Sequence, residues 1–273
     1  MTKEQNRTIW ILILSSSLIL AITMGVRQSL GLFIAPINSS TSLDIISISL
    51  ALAIGQFIWG LTQPIFGAIA DKKGSFGVLV FGALLMFFGL ILTPFLTSEF
   101  SIILTLGLLV AAGAGAGSFS ILIGATAKNL PNEKRSFAGG FINAGGSFGQ
   151  FIFAPLAQAI INGFGWIYSM IALAFSTLLT IPLAKILSSK SKKEETNLTN
   201  VIENDIKLKE QLKVALKDKS YLYLNLGFFT CGFHVAFLVT HLPHEVALCG
   251  HSANVSAYSL ALIPFTLLPW LMG

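Results

Sequence analysis

The chain has 273 residues, 54% of them hydrophobic and only 11% charged, with a mean hydropathy of +0.79. A soluble domain carries about a quarter charged residues and cannot bury this much apolar surface in one core, so the composition excludes an ordinary soluble domain. The formal net charge of +5 raises the question of a nucleic-acid partner. No basic stretch is interleaved with aromatic residues, and the cations sit where membrane topology places them, so nucleic acid is not an expected partner.

Lys3 and Arg7 before an apolar run can imitate a signal peptide. The run continues to Pro36 without a small-residue cleavage pattern, which makes it a first transmembrane helix. Crossing the hydrocarbon takes about 20 apolar residues as a helix. Eight segments meet that length, roughly 9–36, 45–70, 76–96, 101–126, 137–161, 166–187, 221–243 and 252–273. None shows the ten-residue alternation of a membrane barrel, so an all-α polytopic membrane protein is expected. Cys231 and Cys249 fall in or beside an apolar segment without metal-ligand spacing and read as small hydrophobes.

The connections set the orientation. Lys3 and Arg7 precede the first segment; Lys72 and Lys73 follow the second; Lys128, Lys134 and Arg135 follow the fourth. The alternate connections carry Asp44, Glu99 and Glu245 but no Lys or Arg, which predicts a cytoplasmic N-terminus. The stretch 188–219 is the longest polar segment, with eight Lys among six acids. Within it Ile202, Ile206, Leu212 and Leu216 have helical spacing and allow a surface-lying helix, although a solvated linker is the simpler reading. The expected organisation is a six-helix bundle over 1–187, a cytoplasmic charged linker over 188–219, and the first two helices of a second bundle over 220–273.

An internal repeat supports two bundles. Gly25, Arg27 and Pro36 in the first segment recur as Gly232, His234 and Pro243 in the seventh, each shifted by the same 207 positions. The repeat predicts equivalent places for Arg27 and His234.

The second segment ends Gly67-Ala-Ile-Ala-Asp71-Lys72-Lys73-Gly74, which resembles the signature of the major facilitator superfamily between its second and third helices. In that role Gly67 lets helices approach, Asp71 and Lys72 form a gating and structural element, and Gly74 makes the turn. The fourth segment carries Gly113-Ala-Gly115-Ala-Gly117, similar to a family glycine pattern, with Leu109 where that pattern has Arg. Small residues at four-residue spacing, Gly113/Gly117 and Gly145/Gly149, are expected to pack helices closely. Gln150 follows Gly149 in place of the proline of drug–proton antiporters, which argues against a multidrug exporter. GVRQSLGLFIAPI, QFIWGLTQPIFGAIADKKG and CGFHVAFLVTHLP look like bacterial relatives of monocarboxylate and oxalate–formate transporters. That resemblance implies twelve helices, so a chain reaching only the eighth is expected to be a truncated product or a partial sequence. It also implies a bacterial inner membrane, and a monomer if the chain is full length.

Arg27 is the one Lys or Arg in the interior of an apolar segment, where a charge costs a few kcal/mol and must face a cavity or partner. A guanidinium there can clamp a carboxylate with two parallel hydrogen bonds; snorkelling outward or pairing with Asp44 are the alternatives. His234 suits proton coupling or a charge-sensitive site, and His241 is a weaker candidate on the same face. Gln56, Gln63, Asn143 and Gln150 are amides inside segments that either line a path or bridge helices; Asn143 and Gln56 are taken as substrate-site candidates. No nucleotide loop, nucleophile–base pair or metal cluster appears, so no enzyme, cofactor or metal is expected. The function expected is secondary transport of a small organic anion, coupled to protons or to exchange. The alternatives are a non-transporting or helper membrane protein, and a transporter of a neutral solute.

Overall fold

A computed structural model describes residues 3–96, 98–191 and 217–266, and every regular element among them is helical. Most of the 188–219 stretch, with Ile202, Ile206, Leu212 and Leu216, lies outside the described residues, as does 267–273. Seven described spans are long and apolar enough to cross a membrane: Asn6–Ser40, Ile45–Lys73, Ser75–Phe95, Glu99–Ala127, Asn132–Phe164, Trp166–Ser188 and Lys219–Leu248. An eighth helix runs Ala253–Thr266. Large apolar side chains such as Phe57, Ile65, Phe88, Phe148 and Phe175 stand exposed around the spans. A soluble protein would bury them; a protein in lipid turns them outward. This is an all-α integral membrane protein.

The first six spans pack around two buried clusters, one with Met86 and Leu90 and the other with Leu12, Ile13, Ile19 and Leu122, all fully buried. Tight turns join some of them, and Gly74 (φ 86°) and Gly165 (φ 90°) occupy backbone conformations that favour glycine. Two spans are broken near their middle. The first is α-helical to Gln28, passes through a 3₁₀ turn at Leu30–Phe33 and resumes at Ile34–Ser40. The fourth winds wide as a π-helix over Ile103–Val110, continues over Ala111–Ala116, breaks at Gly117 and resumes at Phe119–Ala127. Wide turns of this kind concentrate at functional sites.

The last two helices meet the first six on one side only, the side whose connections carry no Lys or Arg. Residues 217–234 of the seventh span are exposed, whereas Val239 and Thr240 are buried. Two main-chain carbonyls make this junction, and prolines are the cause. Pro243 lacks an N–H, so the Val239 carbonyl has no partner one turn on; it faces Gly31 in the break of the first span, where a Cβ would collide with it. Pro264 likewise frees the Leu260 carbonyl, which accepts a hydrogen bond from Gln150 Nε2 at 2.9 Å. Gln150 is 4% exposed, so this bond is dry. Nearby, Asn162 Nδ2 donates to Asn254 Oδ1 at 2.8 Å.

A net hydrogen bond is worth about 1 kcal/mol, or about fivefold in an equilibrium. In a Cys231→Ser/Cys249→Ser background carrying Leu52→Cys, Gln150→Leu is expected to speed labelling by an impermeant maleimide from the cation-free side about fivefold. Pro264→Ala restores a donor to Leu260 and is expected to act in the same direction, with no further gain in the double substitution. Unchanged labelling in both would show that this bond does not hold the junction shut.

Candidate functional site

The break in the first span positions Arg27, one residue before the helix ends at Gln28. Its guanidinium donates from Nη2 to Gln56 Oε1 and lies over the ring of Trp59, with Cζ 3.9 Å from the ring centroid. Gln56 and Trp59 are three residues apart on the second span and therefore share one helix face. Glycine brings the second and fourth spans together here: a Cβ on Gly107 would stand 2.9 Å from the Ala51 carbonyl oxygen. Stacking on a desolvated ring stabilises the cation by about 2 kcal/mol. The Trp59 indole N–H is buried and has no hydrogen-bond partner.

No carboxylate among the described residues lies within ion-pair distance of Arg27. Asp44 instead caps the second span, accepting from the Ser47 N–H at 2.8 Å. Hydrogen bonds from Ser47, side chain first and backbone second, hold its carboxyl below the usual range. Glu99 accepts from Ser47 Oγ at 2.9 Å, and Asp71 lies 3.5 Å from Lys128 on the opposite side of the protein. Arg27 thus carries a positive charge inside the span region with only neutral groups around it.

A cavity of about 20 Å³ adjoins Arg27 and Gln56, walled by Leu52, Leu106 and Val110 and closed by Val239 and Thr240. That volume admits little more than one water. A second cavity of about 400 Å³ lies towards the cation-free side, where Pro36, Gln158, Asn162, Pro243 and His244 line it. Gly31 lines both cavities, so its contact with Val239 is the wall between them.

The structure brings Arg27 and Gln56 together and places the other expected site residues elsewhere. His234 is exposed; its Nδ1 pairs with the Thr230 carbonyl at 2.8 Å and its ring meets Phe233 edge-on. It lies five residues before Val239, about 140° around the helix, so the repeat equates it with Arg27 without aiming it at the same cavity. Asn143 is exposed two turns from Gln150, on the helix face that meets the eighth helix further along. Gly113, Gly117, Gly145 and Gly149 are close-approach positions, where a methyl group would strike Gly82, Thr23, Ser17 and Ala21 respectively. Gly67 is not: nothing lies within 4 Å of a Cβ there, because its side of the second span faces open space, while Phe66 and Ala70 beside it pack inward. Asp71 and its partner Lys128 are both exposed, a geometry that adds at most about 1 kcal/mol. Lys72 is exposed beside them and Gly74 makes the turn. Sequence reasoning missed Trp59, Gly31 and Thr240. Only Trp59 had a signal, its i+3 spacing from Gln56.

Broken apolar spans, glycine-mediated packing and a buried arginine at the contact between two helix sets define a polytopic helical membrane protein. The sequence matches the Major Facilitator Superfamily over residues 16–273, and the chain belongs to that family. Monocarboxylate transporter 13 of Rattus norvegicus is 27% identical over 187 residues, 68% of this chain and 43% of the relative. The oxalate:formate antiporter of Oxalobacter formigenes is 27% identical over 153 residues, 56% of this chain and 36% of the relative. The chain thus spans less than half the length of either. The crystal structure of a D-xylose-proton symporter superposes with a TM-score of 0.62 at 15% identity, covering 94% of this chain and 66% of that one, and shows the fold alone. These relatives are transporters, and the chain is not an enzyme.

Gly149→Leu is expected to force the first and fifth spans apart at a cost of at least about 2 kcal/mol. In detergent it should lower the melting temperature by about 5 °C or more, whereas Gly67→Ala should leave it unchanged within about 1 °C. A normal melting temperature for Gly149→Leu would overturn the packing role.

Proposed function

We propose that this chain forms the anion-holding part of a secondary transporter for a small organic anion, a monocarboxylate or short dicarboxylate. The observation that carries the reading is the Arg27 guanidinium: inside the spans, stacked on Trp59, bonded to a neutral amide, and without a carboxylate among the described residues. A buried cation of this kind is further stabilised by a counter-charge, and a transported anion is the counter-charge a carrier can bind and release. Arginine offers a carboxylate two parallel hydrogen bonds, and Leu52, Leu106 and Val110 suit a short aliphatic tail. The names of the relatives, monocarboxylate transporter and oxalate:formate antiporter, point the same way.

Movement of the last two helices against the first six opens the site alternately to either side. The contacts on the cation-free side and the exposed start of the seventh span match a conformation closed on that side. The basic connections support a cytoplasmic N-terminus. Energy comes from an ion gradient or from exchange, and Asp71, Lys72 and Lys128 restrain the cytoplasmic ends.

Loss of two charge-assisted hydrogen bonds costs about 3 kcal/mol or more, at least about a hundredfold in binding. Pyruvate or oxalate uptake into proteoliposomes is expected to fall at least about a hundredfold with Arg27→Leu, while Arg27→Lys keeps a fraction because it retains charge without the planar fork. Undiminished uptake in Arg27→Leu would sink the assignment.

A further inference from the structure

Every buried threonine of the first six spans spends its hydroxyl on the main chain. Thr23, Thr93, Thr105, Thr126, Thr177 and Thr180 each donate to a carbonyl three or four residues back, at distances between 2.7 and 3.0 Å. This is the usual resting place of a threonine hydroxyl in a helix surrounded by lipid. Thr240 departs from the pattern. It is 7% exposed, its hydroxyl makes no hydrogen bond among the described residues, and it lines the cavity that Arg27 and Gln56 line from the other side. It is also one of only two seventh-span residues on that cavity, and its neighbour Val239 is apolar.

We infer that Thr240 is the residue through which the last two helices recognise the anion held by Arg27: its hydroxyl donates to a carboxylate oxygen that the guanidinium does not saturate. The inference rests on the transport reading and deepens it. An Arg–carboxylate fork leaves lone pairs free on both oxygens, and a hydroxyl donor is the group that can take one without adding charge. The bound carboxylate then bridges the two helix sets, Arg27 and Gln56 on one and Thr240 on the other. The present cavity of about 20 Å³ is too small for a carboxylate, so the anion enters by moving the seventh span outward from Arg27. The hydroxyl selects for an oxyanion over a halide of equal charge, since a carboxylate offers directional acceptors to both sides of the site. It fills the place that the repeat suggested for His234, which lies on the far face of the helix.

Trp59, stacked on Arg27, is an intrinsic reporter of occupancy, and binding of pyruvate and of chloride can be read from its fluorescence in nanodiscs containing the intact protein. Thr240→Val preserves shape and removes the hydroxyl; Thr240→Ser restores it. Thr240→Val is expected to weaken pyruvate binding about tenfold and chloride binding less than twofold, with Thr240→Ser within about twofold of the unsubstituted protein. Equal weakening of pyruvate and chloride, or no weakening of either, overturns the inference. Failure of Thr240→Ser to restore pyruvate binding overturns it too, because shape and not the hydroxyl is then decisive. Arg27→Leu separates the two readings. If it abolishes pyruvate binding while Thr240→Val has no effect, the anion site stands and the bridge fails. If Arg27→Leu leaves binding intact, the anion site itself fails.

Discussion

An arginine inside a membrane protein with no acid beside it constrains everything near it. The charge cannot be left bare in a low-dielectric region, and the surrounding residues divide the task of holding it. Gln56 supplies one acceptor and Trp59 a π face, both from one side of the second span. Gly55 and Gly107 keep the second and fourth spans close enough for that face to reach Arg27, while the wide turn at Ile103–Val110 shapes the facing wall. These groups stabilise the cation without neutralising it. A glutamate in place of Gln56 would complete the charge balance and remove the uncompensated charge on which the proposed anion site rests.

The junction with the last two helices uses a different economy. Lipid offers no partner to a free carbonyl, so a proline in a span creates an acceptor that must be satisfied by a neighbour. Pro243 and Pro264 create two, at Val239 and Leu260; the first packs against Gly31 and the second accepts a hydrogen bond from Gln150, both in the first six spans. One is met by glycine, which has no side chain to obstruct the carbonyl, and the other by a buried amide. Contacts of this sort are directional and few. They can be broken and remade without exposing a large apolar face, which a moving interface requires.

The spans were legible from their apolar length, and the connections following the second and fourth spans, both basic in the sequence, meet at one end through Asp71 and Lys128. Arg27 and Gln56 were legible as an isolated charge and an isolated amide. The four-residue glycine spacings of the fourth and fifth spans marked real close approaches, because a ridge of small residues has few other uses in a helix. Gly67 shows the limit: the same residue type in a family signature faces open space, and its surroundings depend on which helix lies opposite. His234 shows another. A repeat aligns positions along two helices, but the direction of a side chain follows from the rotation of each helix in its own packing. Thr240 left no trace in the sequence, since a threonine in an apolar span is ordinary until its hydroxyl is found without a carbonyl.

On the proposed anion-transport reading, the charge at Arg27 also decides which half of the cycle feels voltage. Carrying one elementary charge across the whole membrane potential involves about 2.3 kcal/mol per 100 mV. With a monocarboxylate and no co-transported cation bound, the site is neutral and its passage between the two sides is indifferent to the field. Empty, it bears a full positive charge among neutral neighbours, and the field acts on its return. A carrier of the proposed kind would sense membrane potential through its unloaded step, using the same residue that holds its cargo.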